Sequence, residues 1–162
     1  MNEDTLVQHS CCFTGHREDK LRRSEKEIRQ DLKEAISAAI DDGYTTFITG
    51  MAYGVDLWAG ELVLEKRKWN RKLKLIAAVP FQGFESRWTD RWRWQYKQVL
   101  KKANEVHYIC DGYAPYAYQK RNEWMVDHSS RVIAVYNGEA GGTRNTIRYV
   151  EKKEVSVIFL QG

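Results

Sequence analysis

The residues that could do chemistry fall in a glycine-rich loop and in two polar runs. Val132-Ile133-Ala134-Val135-Tyr136 is followed by Asn137-Gly138-Glu139-Ala140-Gly141-Gly142-Thr143. Gly138, Gly141 and Gly142 can take positive φ and let a ligand approach the backbone closely. Thr143 suits the N-cap of a following helix. A helix start with bare N–H groups attracts anions, phosphate above all. Taken alone, such a loop also fits an ordinary strand-to-helix turn. In Thr14-Gly15-His16-Arg17, the guanidinium of Arg17 could pair bidentately with a phosphate. The imidazole of His16 could donate to it or serve as acid or base. The plainer reading is a surface turn with solvated charges.

Gly50-Met51-Ala52-Tyr53-Gly54-Val55-Asp56 forms a second polar, glycine-bearing run. Asp56 could accept hydrogen bonds from a ribose diol, or simply cap a helix. Glu61, five residues on, is a second candidate carboxylate or a surface charge. Arg121-Asn122 and Asp127-His128 precede the glycine-bearing strand. Arg121 could reach a phosphate over the sheet edge, or snorkel over apolar surface. Arg121 and Asp127 are six apart and share a helix face poorly. Gly50, Gly54 and Gly60 lack the dinucleotide spacing, and no Gly-Lys-Ser/Thr occurs. No His/Cys/carboxylate group has metal-ligand spacing, and no Gly-x-Ser-x-Gly elbow is present. Neither metal nor cofactor is implied.

These runs need elements to position them. Leu6 to Phe13 reads as a first strand. Ser24 and Glu27 form a capping-box pattern before Ile28, Leu32, Ala35, Ile36, Ala39 and Ile40, an amphipathic helix. Further strands are predicted over Tyr44–Thr49, Leu73–Val79, Val106–Cys110, Val132–Tyr136 and Val155–Leu160. Helices are predicted over 55–69, 88–103, 118–129 and 143–152. Such alternation implies one doubly wound α/β domain over 1–162, Rossmann-like, with a mostly parallel sheet and helices on both faces. In these sheets ligands bind outside the carboxyl ends of the strands. Thr14–Arg17, Gly50–Asp56 and Gly138–Thr143 all sit there, so they should converge on one crevice.

A chain of 162 residues with 43% hydrophobic and 30% charged residues is a globular domain. No apolar run is long enough to span a bilayer. Met1 to His9 lacks the pattern of a signal peptide. Cys11, Cys12 and Cys110 are odd in number, and the adjacent pair would point to opposite sheet faces. A reducing, cytoplasmic context is expected. The net charge of +4 favours anionic ligands without establishing nucleic-acid binding. Basic residues interleave with Trp69, Trp88, Trp92 and Trp94, a pattern that can serve single strands but more often marks a solvated face, core or dimer interface.

Five blocks, Cys12–Arg17, Gly50–Glu61, Pro80-Phe81, Arg121–Asp127 and Gly141–Thr143, resemble the SLOG superfamily, nearest its YspA/YpsA–YoqJ-like branch. The resemblance spans nearly the whole chain and implies a Rossmann-like fold with a nucleotide pocket. The superfamily includes phosphoribohydrolases of the lonely-guy type, the DNA-processing protein DprA, and sensors of nucleotide signals. Against the phosphoribohydrolases, Arg121, Met125, Gly141, Gly142 and Thr143 are kept. Thr146 stands where their catalytic Glu would be. Cleavage of an N-glycosidic bond needs a carboxylate for its oxocarbenium-like state, and a Thr supplies none.

The expectation is therefore binding of a nucleotide or nucleotide-derived signal through the glycine-rich loop, for sensing or sequestering, without turnover. One alternative is a nucleotide N-glycosidic hydrolase with a displaced carboxylate, Asp56 or Glu61. Another is DprA-like single-stranded DNA binding through Lys68, Arg71 and Lys72. The Trp surplus on one basic helix favours a homodimer or larger homo-oligomer.

Overall fold

Short β-branched runs alternating with amphipathic stretches force crossover connections, because parallel neighbours cannot be joined by tight hairpins. The computed structural model describes residues 3–162, with side chains from Thr5 onward. Strands β1 (Ser10–Gly15), β2 (Thr46–Thr49), β3 (Lys74–Val79), β4 (Glu105–Tyr108), β5 (Arg131–Tyr136) and β6 (Ser156–Gln161) form one sheet. Its order is β4-β3-β2-β1-β5-β6, and every neighbouring pair is parallel. The helices are α1 (Glu3–Gln8), α2 (Glu25–Asp41), α3 (Val55–Arg67), α4 (Asp90–Lys102), α5 (Ala117–Asp127) and α6 (Gly142–Lys153). The chain has the expected Rossmann-like α/β architecture, with a sheet that is parallel throughout.

Alternation along the strands divides the core between the two faces. Cys11 and Phe13 of β1, Phe47 of β2 and Leu75 of β3 pack with Ile28 and Leu32 of α2, Val63 of α3 and Trp92 of α4. Cys12, Ile48 and Ile76 face the other way, toward Met125 and Val126 of α5 and Val150 of α6. Truncating a fully buried ring such as Phe13 in such a core costs about 3–5 kcal/mol. Helix α2 begins as its sequence dictates. Glu27 N–H donates to Ser24 Oγ at 3.2 Å, and the Glu27 carboxylate accepts from the Ser24 backbone in return. Its buried positions, Ile28, Leu32, Ile36 and Ala39, follow the helical period.

Strands β1 to β4 step outward on one side, and β5 resumes on the other side of β1. The order therefore reverses between β1 and β5. Thr14 pairs with Ala134 and Gly15 with Val135, so the two carboxyl ends lie level and their exit loops diverge around a gap. A doubly wound sheet opens its ligand crevice at such a reversal.

The structure corrects several boundaries. Leu6 and Val7 belong to α1 rather than to the first strand, and Ser10 Oγ closes the turn by donating to Leu6 O at 2.7 Å. Helix α6 starts at Gly142 with Gly141 as its N-cap, so Thr143 lies inside the first turn and is not the cap. Of the Met1–His9 run read as lacking a signal pattern, Met1 and Asn2 lie outside the described residues. Trp88 and Trp92 pack inward against Tyr53, Trp58 and Phe84, so part of the Trp surplus is core. The three cysteines are free, and burial pushes the Cys12 thiol up to about 12. Among the described residues no helix is long and apolar enough to cross a membrane.

Candidate functional site

The exit loops of β1, β2 and β5 and the first turns of α5 enclose a crevice of about 200 Å³ at the reversal. Thr14, Gly15, His16 and Arg17 come from the end of β1 and its loop. Ala52 and Asp56 come from the passage into α3, and Arg121 and Asn122 from α5. Gly141, Gly142 and Thr143 complete it.

The start of α6 is bare. Gly141 holds φ at +143°, a conformation that a side chain rarely adopts, and no side chain caps the helix. The first N–H groups therefore have no intrahelical acceptor and carry the positive end of the helix dipole. Two donors stand near this turn. A Cβ built on Gly142 would lie 3.9 Å from Asn122 Nδ2, and one on Gly141 would lie 3.9 Å from Lys20 Nζ. Lys20, in a 3₁₀ turn over Glu18–Lys20, also lines the crevice. It was not singled out from sequence, and its place three residues past Arg17 is the only signal that could have marked it.

Asp56 and Arg121 form the floor. Asp56 Oδ2 accepts from Ala52 N–H at 3.2 Å, and its buried Oδ1 has no hydrogen-bond partner. Burial is the main force on this carboxyl. It pushes the pKa up to about 6, against the opposing pull of Arg121, the Ala52 N–H and Arg17. Arg121 is buried, which lowers its pKa against the attraction of Asp56. Its Nε donates to Asn122 Oδ1 at 2.8 Å and its Nη1 to the Gly50 carbonyl. The absence of a side chain at Gly50 makes this close approach feasible. A Cβ there would stand 2.8 Å from Asp56 Oδ2 and 2.9 Å from Arg121 Nη1.

His16 is buried with Nε2 unpartnered, and its ring stacks on Tyr136 with centroids 5.7 Å apart. Burial, with lesser contributions of both signs from its neighbours, lowers its pKa and favours the neutral ring. The Arg17 guanidinium lies over the Tyr53 ring at 4.8 Å. Gly15 and Gly54 let the β1 loop press onto the start of α3. A Cβ on Gly15 would meet Val55 Cγ1 at 2.6 Å, and Gly54, at φ +98°, would meet the Glu18 backbone N at 2.8 Å.

Gly50 and Gly54 make room for the packing behind the crevice without lining it, and Glu61, Asp127 and Gly138 also stand apart from it. Glu61 is bound by Arg29 at 3.2 Å on the outer side of α3 and lines a different cavity, beside Trp94. Asp127, at the far end of α5, accepts from Tyr149 Oη at 2.7 Å. Gly138 (φ +91°) shapes the β5 exit loop but does not line the crevice. Thr146, at the position of the absent Glu, turns its hydroxyl back onto the helix and donates to Gly142 O at 2.8 Å. Among the described residues no group of three or more His, Cys, Asp or Glu could hold a metal.

Beside the crevice lies a larger chamber of about 790 Å³, which sequence reading missed. Tyr53, Phe81, Phe84, Trp88 and Tyr113 wall it, and Arg17 and Tyr118 line both cavities.

The model of the YspA SLOG family matches residues 11–157. The chain is similar to the "Uncharacterized SPbeta prophage-derived protein YoqJ" of Bacillus subtilis (strain 168). The two are 35% identical over 138 residues, covering 75% of this chain and 81% of that protein. A UPF0398 protein of Staphylococcus aureus is 25% identical over 114 residues, covering 69% of this chain and 61% of the relative, less than two thirds of its length. Among solved structures, DNA processing protein A of Streptococcus pneumoniae superposes with a TM-score of 0.69 at 16% identity. It covers 99% of this chain and 53% of that one. The same protein from Helicobacter pylori, described for its single-stranded DNA binding mode, gives 0.68 at 17% identity, covering 99% of this chain and 68% of that one. These likenesses to solved structures show a shared fold.

Proposed function

The chain belongs to the YspA SLOG family, and from that membership we propose that it binds a nucleotide or nucleotide-derived signal, to sense or sequester it without turning it over. The observation that carries this reading is the uncapped start of α6 meeting buried Arg121 and Asp56 in one crevice. In this reading the N–H groups of Gly142 and Thr143 hold a phosphate, helped by Lys20 and Arg17. Asp56 Oδ1, buried and unpartnered, accepts from a ribose hydroxyl. Thr146 supports binding over cleavage, since its hydroxyl is engaged with Gly142 O and carries no charge. The hydrolase alternative retains Asp56 as its one carboxylate in the crevice.

Mass spectrometry of small molecules released on heating the purified protein tests the reading. An intact nucleotide in stoichiometric amount is the expected result. A free base together with ribose phosphate would replace binding with turnover.

A second reading, single-stranded DNA binding, draws on a different observation. Trp69 is 90% exposed beyond the end of α3, among exposed Lys68, Arg71 and Lys72. Bases can stack on such a ring while the cations meet the backbone. Exposed Trp94 supports self-association into a homo-oligomer, and the three free thiols support a reducing, cytoplasmic setting.

A further inference from the structure

We infer that the aromatic chamber is the ring-binding half of the same ligand site, taking the neutral or electron-rich heteroaromatic ring of a nucleotide whose phosphate sits at the start of α6. This rests on the reading proposed above and adds where the ring goes and what holds it.

Size makes the first argument. Ligand pockets for drug-sized molecules run to about 300–1,000 Å³. The crevice, at about 200 Å³, accommodates a phosphate and part of a sugar, whereas the chamber has about 790 Å³. Continuity makes the second. Arg17 and Tyr118 line both cavities. Arg121, committed on its crevice side to Gly50 and Asn122, lies 5.6 Å from the centroid of Phe84, a wall of the chamber. A ligand leaving the crevice past Arg17 therefore enters the chamber directly.

The chemistry of the walls makes the third. Phe81 meets Tyr113 at 84° and Tyr53 meets Trp88 at 81°. Among the described residues Tyr113 has this one ring contact, with Phe81, and is 68% exposed, so it keeps ring surface on which a ligand can stack. The charged side chains lining the chamber are Arg17 and Arg87, with no carboxylate. Such a lining repels a cationic ring and attracts one rich in electrons or hydrogen-bond acceptors. These walls come from the loops after β2, β3 and β4, all on the carboxyl edge of the sheet that carries the phosphate seat.

Titration calorimetry on the full chain tests the assignment. The probes are the four ribonucleoside 5′-monophosphates, ribose 5-phosphate and the four nucleosides, each against wild type, Tyr113→Ala and Trp88→Leu. Tyr113 is 68% exposed, so its truncation leaves the core intact. At least one nucleotide should bind about tenfold more tightly than ribose 5-phosphate, and Tyr113→Ala should remove about fivefold of that without altering ribose 5-phosphate binding. Equal affinity for nucleotides and ribose 5-phosphate, unmoved by either variant, would overturn the chamber and leave the phosphate seat standing. Nucleosides that match the nucleotides and respond to Tyr113→Ala, with ribose 5-phosphate inert, would uphold the chamber and overturn the phosphate seat. Silence from every probe would overturn both.

Discussion

The guanidinium of Arg121 donates from Nη1 to the carbonyl of Gly50, a residue 71 positions away in the chain. This bond ties the first turns of α5 to the exit of β2 and aligns the floor of the crevice. It also sets the charge beside Asp56. Arg121→Met should therefore destabilise the protein by about 3 kcal/mol, since it strands a buried carbonyl and removes the carboxyl's compensating charge. Urea unfolding would measure this. Arg121→Lys keeps the charge but loses the planar fork, and should still deplete the nucleotide released on heating.

Asp56 gives the fold a signature in pH. Its carboxyl is raised from 3.8 to about 6, so the native state holds the proton more tightly than the unfolded chain. That stability is fully present below about pH 4 and is lost as the pH rises through about 6, up to about 3 kcal/mol in all. Asp56→Asn imitates the protonated side chain and should abolish this fall. Urea curves of both proteins at pH 4 and pH 7.5 would test it. Parallel behaviour of the two would refute the assignment.

Two glycines should respond differently to the same change. Gly50→Ala forces a methyl against Asp56 and Arg121, and should cost about 1–3 kcal/mol and abolish ligand retention. Gly138→Ala has open space around its Cβ but φ of +91°. It should cost about 1 kcal/mol of backbone strain and leave ligand retention unchanged. Thermal unfolding with mass spectrometry of released ligand separates the cases.

For the DNA reading, replacing Lys68, Arg71 and Lys72 together with Gln should lower the salt dependence of single-strand affinity by about two in log–log slope. The crevice between β1 and β5 should be unaffected, because α3 carries this patch to the opposite edge of the sheet. Fluorescence anisotropy over a range of salt concentrations would decide. An unchanged slope would remove the patch from consideration.

Much of the architecture could be read from residues. Ser24 and Glu27 announced α2, and strand-like runs separated by amphipathic ones announced a parallel sheet. Leu6-Val7 misled because a short apolar run has no decisive period, and here it completes one short helix. Thr143 was read as a cap on chemical type, while backbone conformation assigned that place to Gly141. Glu61 and Asp127 illustrate a limit of linear spacing. Each is near a crevice residue in sequence, yet one lies on the outer side of α3 and the other six residues down α5. The chamber escaped notice because its rings come from three loops and each alone reads as core. Their shared position after strand ends was the available clue.

The N–H groups at the start of α6 are main-chain atoms, so they survive every substitution that preserves the turn. An alanine scan of the crevice would probe Arg121 and Asp56 but leave these donors untouched, and so would miss the proposed phosphate seat. To silence them, one must change the backbone itself, through an ester in place of an amide or a proline in place of Gly142. By the same logic, relatives can drift far in side chains around this turn while keeping the same row of main-chain donors.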